Sequence, residues 1–297
     1  MTRSADQIFA VLSLDTAIQA LAIIPGQESL AIATQNGIYL VERATWKLIW
    51  QSALSRANNA VAFSPDGRYL AATADSGRVT IWETDHPEPV RILNLSSGGA
   101  GGAAFSPDGR VFAAGFFQTI QTWDTQTWRK SLNLSGHNNT IWRLVYSPDG
   151  RYLASASTDQ TILLWDLTKI QKDHKPDRVL RSPTYWVRSA VFSPDGRSIA
   201  AGSGDGMIYV WEIASGERLF SLRNEQGFIW DVAYSAAGDL LASASDDGSI
   251  VLWDARSGEI LHKWHCESAV HSLAFDAQGE VMIAGTADGK ILAISYP

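Results

Sequence analysis

The side chains best equipped for chemistry in this sequence are aromatic and cationic rather than nucleophilic. Trp142, Trp186, Arg188, Phe228, Trp230, Asp246 and His271 recur at related spacings from residue 142 to residue 271. Indoles and guanidiniums dominate binding hot spots, where one central aromatic contributes roughly 2 kcal/mol or more, and aromatic faces attract cations. Their chemistry is capture, with no bond made or broken. Catalytic patterns do not occur: there is no Gly-x-Ser-x-Gly elbow, no His-Glu-x-x-His and no Walker loop, and "GTADGK" at 285–290 reads as a hairpin. His262, His265, Cys266 and His271 lie close in sequence, but on a strand 262 and 265 point to opposite faces, so no metal site is expected. No cofactor is expected either.

The elements that must position these residues come from an internal repeat. "AVAFSPDGRYLAATADSGRVTIWE" at 60–83, "LVYSPDGRYLASASTDQTILLWD" at 144–166 and "AVFSPDGRSIAAGSGDGMIYVWE" at 190–212 are variants of one string. Trp82, Trp123, Trp165, Trp211 and Trp253 follow one another at gaps of 41, 42, 46 and 42 residues, and Val41 and Ile294 extend the frame to seven units. Each unit reads as a strand ending in an aromatic, a Ser-Pro-Asp-Gly turn, a second strand, a third ending in Trp and an acid, and a fourth. The third unit departs from the pattern: Phe117 stands where others have a turn acid, so packing is expected to hold its turn. A period of 40 to 45 residues with four strands is the signature of a propeller blade. No window shows sustained helical periodicity, so the fold is all-β. The last unit stops after its third strand, and a spare strand, Asp6 to Leu14, precedes the first unit. The expectation is a seven-bladed β-propeller of four-stranded antiparallel blades, residues 1–297 forming one domain, closed by the N-terminal strand completing the last blade.

Within each first strand the apolar residues fall five, two and zero places before the terminal aromatic, as in Ile141, Leu144 and Tyr146. A gap of three followed by two breaks the pleat's period of two, as a β-bulge near the strand's start would. The bulge frees the residue four places before the aromatic and sends it to the mouth of the channel. Those positions are Gln19, Asn59, Gly101, Trp142, Arg188, Trp230 and His271; two places earlier stand Ala17, Ala57, Gly99, Thr140, Trp186, Phe228 and Ala269. The large residues gather on the fourth to seventh blades.

The strings "YSPDGRYLASASTDQTILLWD" at 146–166 and "SASDDGSIVLWD" at 243–254 resemble the WD-repeat (Trp-Asp repeat) β-propeller family, and the resemblance covers essentially the whole chain. It implies that His137, Asp159 and Trp165 belong to a structural hydrogen-bond network linking imidazole, hydroxyl, acid and indole. It also implies that the rim positions, with the residues before the turn acids such as Asp246, supply a partner surface. Function is then expected to be that of a non-enzymatic protein interaction platform binding a peptide or protein segment, one version of which presents Lys or Arg to the aromatics. The alternatives are a sensory or regulatory propeller in a larger signalling or NTPase-containing complex, and a small-molecule-binding or enzymatic propeller using the central channel.

Composition bounds the partner. A formal charge of −7 opposes a phosphate-backbone partner, so nucleic acid is not expected. No apolar run approaches the roughly 20 residues needed to cross a bilayer, so no membrane is expected. The single cysteine, Cys266, and an N-terminus without a signal-like apolar stretch point to the cytoplasm and to a monomer outside any complex. The basic stretch at 167–180, with Lys169, Lys172, Lys175 and Arg178, reads as a solvated loop.

Overall fold

Each repeat folds back on itself at a turn whose chemistry is spelled by its residues. In the fourth repeat the Ser147 hydroxyl donates to Asp149 Oδ1 (2.6 Å) and accepts from Tyr152 N (2.8 Å), while Asp149 Oδ1 also accepts from Arg151 N (3.0 Å). Gly150 closes the turn at φ +71°, a left-handed conformation that glycine adopts without cost. The second and third strands, Tyr152–Ser157 and Thr161–Asp166, are buried at every position, as strands covered on both faces must be. The fourth strands alternate instead, as in Lys130–Ser135, because they form the outer circumference.

The computed structural model describes residues 8–24, 29–53, 58–95, 99–169, 174–223, 227–276 and 279–296. They form seven four-stranded antiparallel sheets, and the innermost strands are Ile18–Ile23, Asn58–Phe63, Ala100–Phe105, Ile141–Tyr146, Val187–Phe192, Ile229–Tyr234 and Val270–Phe275. Six of them end at the expected aromatics, Phe63, Phe105, Tyr146, Phe192, Tyr234 and Phe275, and the first ends at Ile23. The seventh sheet is completed by Ile8–Ser13, which pairs with Lys290–Ser295 so that Ile8 faces Ile294. Ring closure by the N-terminal strand is therefore as expected. Asp6, Ala57 and Lys172, which belonged to the expected strand, rim set and basic loop, lie outside the described residues.

The core is distributed between blades. Buried residues group into clusters that each span two neighbouring sheets, and one of them joins the first blade to the last through Ile18, Leu21, Ile32, Ile283 and Ile291. The inner strands of the third and fourth blades approach so closely that a Cβ on Gly101 would lie 1.9 Å from the Ile141 carbonyl oxygen. Only glycine fits there.

Two local expectations need correction. The turn of the third blade is not held by packing of Phe117, which is 48% exposed at φ +38°; its carbonyl instead accepts from Ile141 N (2.9 Å). The basic stretch is not simply solvated. Lys169 bonds Asp177 (2.7 Å), and Arg178 Nη1 donates to the Ile213 carbonyl (2.5 Å), tying the fourth blade to the fifth. Among the described residues no helix is long and apolar enough to cross a membrane, and no three His, Cys, Asp or Glu side chains gather to hold a metal ion.

Candidate binding surface at the channel mouth

The register of the innermost strand against the second slips once in every blade, between Ile141 and Arg143, Val187 and Ser189, Ile229 and Asp231, and Val270 and Ser272 in the last four. The skipped residues are Trp142, Arg188, Trp230 and His271. The same slip occurs at Gln19 and Asn59 in the first two blades, and in the third it falls between Ala100 and Ala103, across Gly101 and Gly102. One residue per blade is thus taken out of the ladder and re-aimed, which is what a bulge does.

These side chains meet one another. The Arg188 guanidinium lies over the Trp142 ring at 3.9 Å and over the Trp230 ring at 5.2 Å. Trp230 also packs on His271 (4.7 Å between centroids) and on Phe228 (4.8 Å), which meets Trp186 edge-on at 6.3 Å. Both indole N–H groups are satisfied, Trp142 by Thr158 Oγ1 (2.7 Å) and Trp230 by Asp246 Oδ1 (3.0 Å). The result is one aromatic run across the fourth to seventh blades. Its outer end is open, because Trp186, stacked on Tyr185, remains 42% exposed. Gly204 makes room for that end: a Cβ there would lie 2.3 Å from the Tyr185 ring and 2.6 Å from the Phe228 ring.

The seven expected site residues are therefore brought together, with one difference in role. Two of the aromatics expected to meet a partner's cation, Trp142 and Trp230, already pack against the chain's own Arg188. Burial pushes the Arg188 guanidinium down to about 10, with the charge of Arg143 acting in the same direction and Asp231 and Asp75 opposing. Arg188 therefore stays protonated at neutral pH. Burial also lowers the His271 imidazole, whose Nδ1 lies 3.0 Å from the Ile18 carbonyl. That bond fixes Nδ1 as the donor and leaves Nε2 as an acceptor.

Beneath the mouth lies a feature that the sequence reading missed. Asp231, only 3% exposed, accepts four hydrogen bonds: from Ser189 Oγ (2.6 Å) and Val232 N (3.0 Å) at Oδ1, and from Ser272 Oγ (3.2 Å) and Leu273 N (3.0 Å) at Oδ2. Ser272 Oγ in turn accepts from Leu21 N (3.1 Å). One carboxylate so links the fifth, sixth, seventh and first blades. Its signal was an acid one place after the bulge, where the other blades carry Ala20, Ala60, Gly102, Arg143, Ser189 and Ser272. Tyr185 and Arg143 were missed too, Tyr185 because it lies outside the repeat positions considered.

The scaffold residues stand apart from the mouth. His137 Nδ1 bonds Asp159 Oδ2 (2.8 Å), His137 Nε2 bonds Ser155 Oγ (2.7 Å), and Trp165 Nε1 donates to the same Ser155 Oγ (3.1 Å). Burial acts to raise the Asp159 carboxyl, but the bond to His137 and the imidazole charge, with Thr161 and Asn138 N, hold it well below the usual carboxylate range. Cys266 is half-buried, and burial pushes its thiol up to about 11, aided by the charge of Asp288, so it has no thiolate character at neutral pH.

The family model described as "WD domain, G-beta repeat" matches residues 128–166, 174–212, 216–254 and 258–292, together just over half of the chain. The chain belongs to the WD-repeat family. A second model, "Anaphase-promoting complex subunit 4 WD40 domain", matches residues 21–99 of this WD-repeat propeller. Among curated relatives, "Periodic tryptophan protein 2 homolog" of Dictyostelium discoideum is 28% identical over 172 residues, covering 42% of this chain and 19% of the relative. "Meiotic recombination protein rec14" of Schizosaccharomyces pombe is 34% identical over 108 residues, 35% of each chain. "Transcription initiation factor TFIID subunit 5" of Caenorhabditis elegans is 28% identical over 106 residues, covering 35% of this chain and 16% of the relative. The matches thus span about a third or less of each of these relatives.

Proposed function

We propose that this WD-repeat propeller, one domain over residues 1–297, is a non-enzymatic platform that captures a peptide or protein segment on Trp142, Trp186, Arg188, Phe228, Trp230, Asp246 and His271. The observation that carries this reading is the open end of the aromatic run: Tyr185 and Trp186 are stacked, 46% and 42% exposed, and continuous with half-buried rings behind them. Large aromatic surface held rigid before binding loses little entropy on capture. Asp231 is engaged by four donors and Asp246 by an indole, which disfavours a catalytic role for either. A guest presenting Lys or Arg competes with Arg188 for the indole faces, so that version requires Arg188 to move aside.

A propeller working inside a larger assembly is the second reading, favoured by a relative whose name makes it one component of a transcription initiation factor. The cytoplasm draws no support from relatives named for transcription initiation and meiotic recombination. Outside an assembly the chain is proposed to be a monomer. The test is affinity capture from native lysate with wild type against a Trp186→Ala, Phe228→Ala double variant that retains its melting temperature. Partners lost with the variant support the mouth; partners retained in full would move the binding surface elsewhere.

A further inference from the structure

We propose that the mouth recognises an acidic side chain, the carboxylate of an Asp or Glu in the captured segment, through Arg188 and Arg143. This deepens the reading of the mouth as a peptide-binding surface and rests on it. The starting point is a pair of cations that no carboxylate bonds, the charges of Asp231 and Asp75 acting on Arg188 without an ion pair. Arg188 is the only Lys or Arg among the seven bulge residues, Arg143 is the only one among the seven residues that follow them, and they stand on adjacent blades. Each is half-buried, and among the described residues neither makes a hydrogen bond or an ion pair. Their charges act on each other.

Acids near the mouth do not answer this need. Both oxygens of Asp231 are filled by donors from Ser189, Val232, Ser272 and Leu273, and Asp246 holds the Trp230 indole. Asp75 accepts from Asn59 Nδ2 (2.5 Å) on the second blade. Half-buried guanidiniums on adjacent blades repel each other and have no acceptor among the described residues, and an oxyanion placed against both relieves the repulsion and supplies an acceptor.

Geometry selects a carboxylate. The Arg188 guanidinium carbon sits over the Trp142 ring and, farther off, over the Trp230 ring, and its N–H groups have no acceptor among the described residues. A guanidinium edge pairs two parallel N–H groups with the two oxygens of a carboxylate. The stack that excludes an incoming cation from the indoles thus prepares the guanidinium for an incoming anion. Exposed Trp186 and Tyr185, reached from Arg188 through Trp230 and Phe228, would take an apolar residue of the same segment.

The experiment selects dodecapeptides from a random phage-displayed library on the immobilised protein, then titrates labelled synthetic versions by fluorescence anisotropy. A selected pool enriched in Asp or Glu next to aromatic residues is expected, with Glu→Gln versions binding roughly tenfold weaker. Arg143→Gln and Arg188→Gln should each erase that difference, and Arg143→Gln, outside the indole stack, leaves folding intact by circular dichroism. A pool enriched in Lys or Arg, or Glu and Gln versions that bind alike, overturns the proposal. If such peptides still lose binding with Trp186→Ala, the mouth stands and the acidic preference alone falls. A pool that binds with no sensitivity to Trp186, or a selection that yields no binder, overturns both.

Discussion

Arg188 and Trp142, on neighbouring blades, form a stacked pair with the guanidinium carbon 3.9 Å from the indole centre. Both are bulge residues, so the contact forms only once the two blades are docked. Replacing Arg188 by Ala is expected to lower unfolding free energy by about 1 kcal/mol, the range for a partly desolvated cation–π contact. Urea denaturation measures the loss, and a red shift of tryptophan emission should accompany it as Trp142 and Trp230 gain water.

Ser155→Ala should cost about 2 kcal/mol, because it strands the Trp165 N–H and a nitrogen of His137 in buried surroundings. The second blade shows the same defect naturally. There Ala72 stands where Ser155 does, and Trp82, fully buried, has an indole N–H with no acceptor. Ala72→Ser is accordingly expected to raise the melting temperature by calorimetry, whereas Ser155→Ala lowers it.

Removing the Asp231 carboxylate as Asp231→Ala should destabilise the protein by at least about 3 kcal/mol, since two hydroxyls and two amides lose their acceptor together. Hydrogen exchange should localise the effect. Amides of Val232 and Leu273 are expected to lose protection by orders of magnitude more than those of the second and third blades.

Acid stability should carry the mark of Asp166. Burial acts to raise its carboxyl, but Thr168, Arg151 (3.0 Å) and Lys169 (3.4 Å) prevail and hold it at about 2. The folded value lies below the unfolded one of about 4, so this stabilisation is complete above pH 4 and disappears as pH falls toward 2. Asp166→Asn should therefore melt below wild type at pH 7, and the gap should close between those two values.

The repeat made the fold legible, because each blade restates the same turn, aromatic and Trp-acid pair. The broken apolar spacing of Ile141, Leu144 and Tyr146 was enough to locate the bulges and so to bring Trp142, Arg188, Trp230 and His271 to one place. What the spacing did not carry was direction between blades. That Arg188 turns into the gap between two indoles, and that Asp231 reaches Ser189 and Ser272 on neighbouring sheets, depends on packing between strands about 40 residues apart. Periodicity within one strand holds no information about such contacts. Phe117 shows the opposite limit: its turn is fixed by backbone bonds, which side-chain identity does not report.

Pairing Ile8–Ser13 with Lys290–Ser295 also sets a schedule for biogenesis. The ribosome makes the clasping strand ahead of all seven inner strands and its partner after them, so the first sheet must wait beside an uncovered flank until the last has been synthesised. Six blades can stack during that interval, but the seventh waits on a contact some 280 residues apart in sequence, the kind of pairing that forms slowly and leaves sheet edges vulnerable meanwhile. Slow ribosomes and early stop codons should accordingly yield open, aggregation-prone arcs rather than smaller functional rings.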